Sequence, residues 1–341
     1  MDEFTIKENE YIKDEYSSYI YKNKKEHYQY GKLKLHIKGL PYQILAPIRK
    51  VAINQIPIYA FPNEKINITK NTSAFDNTYL RNHLSQLPIP NLNEYLEKQI
   101  TLLSPDYYEH VNFADPKRDK HPDDTIEIEY FIKGKNTGDD KIKYITTNDM
   151  DIMINNNKIT KLYNEKHPFT LIQLRPNEEF ECSMKAVLAI GELNAIFNAS
   201  NCYYKQNSEF DFDFMISSSW QYPEYDLLIK SCDILIEKLN IIKKNYSNYN
   251  NVMNTENNSQ CVIIDDGDYI CGNPINYFLQ SDKDIMFSGI SRINFIEKKI
   301  KFVFKGKDKV DLTKKFNKAV DDSINLYTNI KKQLNKLNKK L

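Results

Sequence analysis

Glycine is scarce in this chain of 341 residues, which has only nine, and neither GxGxxG nor GxxxxGK[ST] occurs. The common loops that cradle phosphates are therefore excluded. Cysteine is also rare: the five cysteines lie far apart without C-x-x-C spacing. That spacing argues against a zinc cluster or a disulfide framework and is typical of a reducing compartment. No apolar run approaches the ~18 residues of a membrane span, and the charged start does not resemble a signal peptide. We therefore expect an intracellular protein with free thiols and no cofactor.

The sequence also lacks an excess of positive or of negative side chains. The 47 Lys and Arg residues balance 46 Asp and Glu residues, for a formal charge of +1. No global basic field is therefore available to hold nucleic acid through counterion release. The six histidines show no H-x-x-x-H or H-E-x-x-H spacing, and no pairing of a base with a nucleophile can be argued. The length allows about two or three domains with real cores.

The first part of the chain alternates predicted strands and helices. Residues 1–24 are charged and lack periodicity, so we interpret them as an extension. The alternation in KLKLHIK predicts a strand, followed by a short helix with Pro47 in its first turn and by the strand IPIYAF. Prolines, a charged loop and the alternating IEIEYFIK indicate an inserted β-rich subdomain at 89–167. A long amphipathic helix begins near Pro223.

The Asn- and Ser-rich residues 246–259 are too polar to pack, so they predict a flexible linker. A second unit follows, with an apolar run, a short helix after Pro274, two strands and a long helix from about Val310. Both long helices carry apolar residues at steps of three and four, which is typical of a helix packed on another helix. The residues predicted for this seam are Leu228, Cys232, Leu235, Leu239, Ile242, Ile275, Phe278, Phe316, Ala319, Leu326 and Ile330.

The two halves repeat one order of elements: strand, short helix with a proline, further strands and a long amphipathic helix. Because neither half can easily bury its long apolar stripe alone, we expect an α+β fold in which two such units pack as an intramolecular pseudo-dimer. The predicted divisions are an extension (1–24), a first dimerisation domain (25–88 and 168–245), an inserted β-rich subdomain (89–167), a linker (246–259) and a second dimerisation domain (260–341).

Four segments resemble one family. GLPYQILAPIRKVAINQIPIYAF resembles the start of the alpha subunit of bacterial RNA polymerase, the archaeal D subunit and the third subunit of eukaryotic RNA polymerase II. NTYLRNHLSQLPI and LRPNEEFECSMKAVLAIGELNAIF are similar to later segments of the same subunits, and DDGDYICGNPINYFLQSDKDIMFSGI resembles the archaeal L subunit and the eleventh subunit of polymerase II. The resemblance covers roughly residues 28–341. Fused versions are a feature of large DNA viruses. This suits the sequence, in which Lys far outnumbers Arg and Asn, Ile and Tyr are abundant, as is typical of an A+T-rich genome.

The resemblance implies a non-catalytic scaffold of a multisubunit DNA-dependent RNA polymerase, acting in transcription. Its partners would be the second-largest and largest subunits, joined by small polymerase subunits, with no base-specific contact with DNA and no membrane. Ile48, Arg49 and Lys50 fall on the family's docking helix, and Asn194 and Ala195 on a similar contact turn. A viral chain is expected in the virion and the host cytoplasm, and any other in the cytoplasm or nucleus.

Two other interpretations remain open. An unrelated structural or interaction protein that duplicates a strand-helix unit would produce the same pattern. A metal-dependent hydrolase could use Asp211 and Asp213 in FDFDF, although alternating Asp and Phe is also typical of a strand with one exposed face. The basic KKQLNKLNKK at the end fits the polar face of a helix, with nucleic-acid contact as its alternative. No cysteine lies between residues 88 and 167, so the zinc or iron–sulfur site of some relatives cannot form there.

Overall fold

A computed structural model describes most of the chain. The described residues are 4–13, 31–90, 92, 103, 113, 126–138, 141–159, 162–249, 251–254, 258–265, 269–293 and 298–339. The strands are β1 (Thr5–Lys13), β2 (Gly31–Lys38), β3 (Ile58–Ala60), β4 (Ile66–Asn71), β5 (Ile128–Lys135), β6 (Lys143–Thr146), β7 (Met150–Ile154), β8 (Asn157–Ile159), β9 (Thr170–Leu174), β10 (Glu179–Lys185), β11 (Val187–Ala189), β12 (Ser200–Ser208), β13 (Asp211–Ser218), β14 (Asn251–Asn254), β15 (Ser259–Asp265), β16 (Ile285–Arg292) and β17 (Lys299–Gly306). The α-helices are α1 (Tyr42–Asn54), α2 (Asn77–Ser85), α3 (Glu224–Asn245), α4 (Gly272–Ser281) and α5 (Leu312–Asn338). This mixture confirms the expected α+β class.

Two four-stranded antiparallel sheets share one strand order. The first runs β1-β2-β13-β12 and the second β14-β15-β17-β16. In each, the strand before the short helix pairs with the strand before the long helix. One face of each sheet is apolar because the residues alternate: Phe212 and Phe214 are fully buried in β13, as are Phe302 and Phe304 in β17. The predicted alternating strands in both halves are therefore confirmed.

The four helices α1, α3, α4 and α5 share one hydrophobic cluster with the apolar faces of both sheets. Every predicted seam residue lies in this cluster, except that Phe278 packs against it from a partly buried position. The long helices α3 and α5 contact each other, and Tyr327 in α5 donates a hydrogen bond to the carbonyl of Ile44 in α1, at 3.3 Å. The helices thus form a layer with which the buried faces of both sheets pack.

The contact between α3 and α5 is antiparallel with a constant register. Along α3, Asp226 accepts a hydrogen bond from Asn338 at 3.3 Å. Farther on, Asp233 pairs with Lys331 at 2.5 Å and Lys243 with Asp321 at 2.6 Å. From each pair to the next, the residue in α3 moves towards the C-terminus by as many positions as its partner in α5 moves towards the N-terminus. Such a register is what two long helices with continuous apolar stripes require.

The predictions of an unstructured extension and of a flexible linker were wrong. Within 1–24, β1 pairs with β2 along its length, and Ile6 is buried in the cluster. Within 246–259, β14 pairs with β15, and buried Tyr246 accepts a hydrogen bond from Gln260 at 2.8 Å. Main-chain hydrogen bonds hold an edge strand without apolar alternation, so side-chain composition did not reveal either segment.

Pro47 is also placed differently from the prediction. Helix α1 starts at Tyr42, so Pro47 lies inside the helix, whereas Pro274 does lie in the first turn of α4. A proline inside a helix cannot donate the usual main-chain hydrogen bond. The apolar face of α1 compensates, because Ile44 and Val51 on either side of the proline are fully buried. Burial of the apolar face of α1 therefore outweighs the loss of the main-chain hydrogen bond at Pro47.

The β-rich unit has its own hydrophobic cluster and a five-stranded sheet in the order β4-β10-β5-β7-β8. Strands β4 and β10 belong to this sheet although they lie outside the predicted insert, 89–167. Helix α2 contributes Leu80 and Leu84 to the same cluster. The pairs β6-β9 and β3-β11 complete the strand pairing of the described residues. The unit thus recruits strands from both sides of the predicted insert.

Glu179 joins three strands of the five-stranded sheet. Its carboxylate on β10 forms ion pairs with Lys70 on β4 and Lys135 on β5. Hydrogen bonds from Lys135 and then from Lys70 lower the pKa of Glu179 from 4.5 to about 2. A carboxylate between two ammonium groups is stabilised in its charged form.

We expect Glu179 to remain ionised far below the ordinary range of a glutamate. A lowered pKa means that its ion pairs stabilise the fold above about pH 4.5, and that this contribution is lost as the pH falls through about 2. NMR titration of the side-chain carboxyl carbons measures this pKa. Lys135→Met should raise it towards 4.5, whereas Lys158→Met, at a surface ion pair with Asp151, should leave it unchanged. An ordinary pKa in the unsubstituted protein would contradict the assignment.

Candidate protein-docking surface

The predicted docking helix is α1, and its three candidate residues differ in exposure. Ile48 is only 4% exposed and lies in the hydrophobic cluster, so it supports the helix and cannot form the surface assigned to it. Arg49 and Lys50 are partly exposed. The guanidinium carbon of Arg49 lies 6.0 Å from the ring centre of Tyr204 on β12, which is cation–π range. The Arg49 side chain is thereby held against the first sheet.

The predicted contact turn is exposed at its tip and anchored behind. Asn194 and Ala195 are both exposed. The side chain of Asn194 accepts a hydrogen bond from the amide of Ile196 at 3.1 Å, which starts a short 3-10 helix, Ala195–Phe197. Phe197 at its end is fully buried in the main cluster. The turn is therefore built in advance of any partner.

Main-chain hydrogen bonds join this turn to the end of α1. The amide of Glu192 donates to the carbonyl of Asn54 at 3.0 Å, and the amide of Ala199 donates to that of Ile53 at 2.9 Å. The hydroxyl of Ser200 donates to the carbonyl of Ala52 at 2.6 Å. These bonds satisfy carbonyls that a helix leaves without partners at its C-terminus. The structure thus brings the predicted docking helix and the predicted contact turn together through these hydrogen bonds.

Glu192 adds contacts that the sequence did not reveal. Its carboxylate accepts a hydrogen bond from Gln55 at 3.3 Å and pairs with Lys298, just before β17, at 2.8 Å. The second contact joins the base of the contact turn to the second half of the chain. No local pattern links two residues so far apart in sequence, so neither was a candidate.

Asp211 and Asp213 lie in β13, facing β2. Asp213 lies 2.9 Å from Nδ1 of His36, while Asp211 lies 3.6 Å from Nε2 of His36 and 3.6 Å from Lys38. The hydrogen bond with His36, followed by that with Asn207, lowers the pKa of Asp213. In the described part of the chain, no group of three or more metal-ligating side chains is placed to hold an ion. Cross-strand pairing explains these aspartates, and the metal-dependent hydrolase has no support in this geometry.

The five cysteines are free, as predicted. Cys182, Cys202 and Cys232 are buried, and burial raises the pKa of each thiol, that of Cys182 to about 12. A thiol with a raised pKa is a weak nucleophile at neutral pH. These three cysteines are therefore packing residues.

No protein-family model matches the chain, and no curated protein matches its sequence. Among the described residues, no helix combines the length and apolar character that crossing a membrane would require. Arguments about function therefore depend on the residues themselves.

Gly191 lies where the contact turn approaches α1 most closely. A Cβ atom at this position would lie 2.9 Å from the Cα of Asn54 and 2.1 Å from Oδ1 of Asn198. We expect Gly191→Ala to lower the free energy of unfolding by about 1–3 kcal/mol, because main chain must move to relieve the overlap. Denaturant unfolding measures the change. Gly138→Ala is the control, since its nearest neighbour is a side-chain oxygen at 3.3 Å; equal stability of the two variants would contradict this packing.

Proposed function

We propose that this chain is a non-catalytic assembly subunit of a multisubunit DNA-dependent RNA polymerase. The observation that carries the proposal is the identical strand order of the two sheets. In each unit a short helix follows the second strand in chain order and a long helix follows the last. This order coincides with the segments that resemble the third-subunit and eleventh-subunit types. The partners would be the second-largest and the largest polymerase subunits, with small subunits joining them. In a virus, such a subunit would act in the virion and the host cytoplasm, and otherwise in the cytoplasm or nucleus.

We further propose that the two halves form an intramolecular pseudo-dimer. Antiparallel packing of α3 on α5 supports the pseudo-dimer. Two equivalent helices run antiparallel when the twofold axis that relates them is perpendicular to both. The short helices support it as well, since α1 contacts α4 across the same helix layer. In this arrangement each half covers the apolar stripe of the other. The first dimerisation domain then comprises β1, β2, α1, β12, β13 and α3, and the second comprises β14 to β17, α4 and α5.

Arg49, Lys50, Asn194 and Ala195 are the proposed docking residues. The two basic side chains lie on a helix whose inner face is fixed by burial, and the exposed turn is hydrogen-bonded to the end of that helix. Preformed surfaces lose little conformational entropy on binding. Basic residues at such a surface would favour an acidic patch on the partner and increase the association rate.

A substitution that leaves a cavity between α3 and α5 should lower the stability of both halves of the chain. Leu239 in α3 is fully buried, so Leu239→Ala should lower the free energy of unfolding by about 2–5 kcal/mol. If the halves form one pseudo-dimer, amide hydrogen exchange should accelerate in β13 and β17 together. Ile241→Ala on the same helix is the control, because Ile241 is 44% exposed. Faster exchange in β13 alone would show that the halves unfold independently and would contradict the pseudo-dimer.

Charge reversal tests the assembly role. When the chain is co-expressed with the two large polymerase subunits of its source, we expect a stoichiometric complex. Arg49→Glu with Lys50→Glu should weaken it at least about tenfold, the equivalent of about 1.4 kcal/mol. The matched control is Lys244→Glu with Lys332→Glu, which reverses two exposed charges on the long helices.

Affinity and stoichiometry are measured by size-exclusion chromatography with light scattering and by titration. Failure of the unsubstituted chain to bind either large subunit would reject the polymerase role. It would leave the alternative of an interaction protein with a duplicated strand-helix unit. Equal binding by the two charge-reversed variants would reject Arg49 and Lys50 as docking residues.

A further inference from the structure

The outer faces of the two four-stranded sheets differ in charge pairing although their strand orders agree. On the first sheet, His36 and Lys38 of β2 face Asp211 and Asp213 of β13 within ion-pair distance. Both carboxylates of β13 on this face therefore lie beside basic side chains of β2, while Lys34 and Lys32 face Met215 and Ser217. A polar sheet face of this kind is well solvated.

An uncharged row crosses the outer face of the second sheet. The strand register places Val252, Cys261, Val303 and Gly289 opposite one another across β14, β15, β17 and β16. Val252 is 67% exposed and Val303 is 36% exposed. Directly opposed residues of an antiparallel sheet point to the same side, so these four form one continuous strip.

Phe287 extends this strip. A bulge between Ile285 and Phe287 shifts the register of edge strand β16, and Phe287 then pairs with Lys305 on the outer face. A Cβ atom on Gly289 would lie 3.2 Å from the tip of the Phe287 ring, so the ring lies beside the space that the glycine leaves open. The ring is nevertheless 58% exposed. Bulges re-aim side chains at sheet edges, and this one places an aromatic ring beside Gly289, the residue opposite Val303.

Two lysines flank the strip. Lys301 and Lys305 lie on either side of Val303 in β17 and are exposed. Their cross-strand neighbours are Ile263 and Ser291 for Lys301, and Ser259 and Phe287 for Lys305. Within the part of the chain that the structure describes, neither ammonium group forms an ion pair. Lys301 and Lys305 thus differ from Lys38 on the first sheet, which pairs with Asp211.

We propose that this lysine–valine face, made of Val252, Phe287, Lys301, Val303 and Lys305, docks an acidic segment of one large polymerase subunit that carries aliphatic side chains. The identity of the partner rests on the proposed function. Aliphatic side chains would cover the valines, and carboxylates would pair with the lysines, so that apolar burial and charge complementarity act together. Exposed apolar strips with polar rims are typical of interaction surfaces.

Other occupants fit this face less well. A second copy of the chain docked face to face would bring lysines against lysines. A single-stranded nucleic acid would need several stacking rings, whereas Phe287 is the one aromatic residue among the five that define this face. An acidic polypeptide matches both the charge and the aliphatic character.

Lysine acetylation with an N-hydroxysuccinimide ester, followed by mass spectrometry, tests the proposal on the full chain, alone and with the two large subunits. On assembly, the labelling rates of Lys301 and Lys305 should fall at least about tenfold, as expected for buried ion-paired lysines. Lys38, on the outer face of the first sheet, should keep its rate. Val303→Ser with Lys305→Glu should weaken the complex at least about tenfold. Met215→Ser with Lys34→Glu, on the outer face of the first sheet, is the matched control.

Protection of both lysines together with weakened binding supports the proposal. A complex that forms while Lys301 and Lys305 keep their free labelling rates would overturn it and leave the proposed function intact. Protection that disappears after nuclease treatment would mean a nucleic-acid occupant and would also overturn it. So would a dimer of the isolated chain that Val303→Ser disperses. If the unsubstituted chain does not assemble with either large subunit, both the proposed function and this partner are rejected.

Discussion

The antiparallel contact between α3 and α5 is the interaction on which the rest of the fold depends. Each four-stranded sheet has one apolar face, and a single amphipathic helix is too narrow to cover four strands. The two long helices and the two short ones form a common layer, so the apolar faces of both sheets belong to one hydrophobic cluster. Polar pairs such as Asp233 with Lys331 fix the register, while the buried side chains between them provide most of the stabilisation.

Edge strand β1 is joined to this helix layer by partly buried polar contacts. Glu224, at the start of α3, accepts hydrogen bonds from Tyr11, from the amide of Gly31 and from the amide of Ser218. Burial raises the pKa of Glu224, whereas these hydrogen bonds oppose the rise. Gln333 of α5 bonds with the main chain of β1 at Ile6. The strand that looks like a tail in the sequence thus joins the first sheet to both long helices.

Periodicity made most of the main elements predictable, because burial of one face imposes a repeat of two on strands and of about 3.6 on helices. The outer edge strands β1 and β14 were missed, since main-chain pairing leaves no such repeat. At the candidate surface, the resemblance indicated α1 and the contact turn, but the burial of Ile48 follows only from packing. The ion pair between Glu192 and Lys298 joins distant segments and has no local signal.

Joining two similar units in one chain has a consequence for recognition. A homodimer presents each surface twice, so two different partners compete for equivalent sites. Here Arg49 and the contact turn lie only in the first unit, and the lysine–valine face lies only in the second. The shared helix layer keeps the two units in a fixed relation while their outer surfaces differ. Under the proposed function, this asymmetry would let one chain hold two different large subunits at once and in a defined order around it.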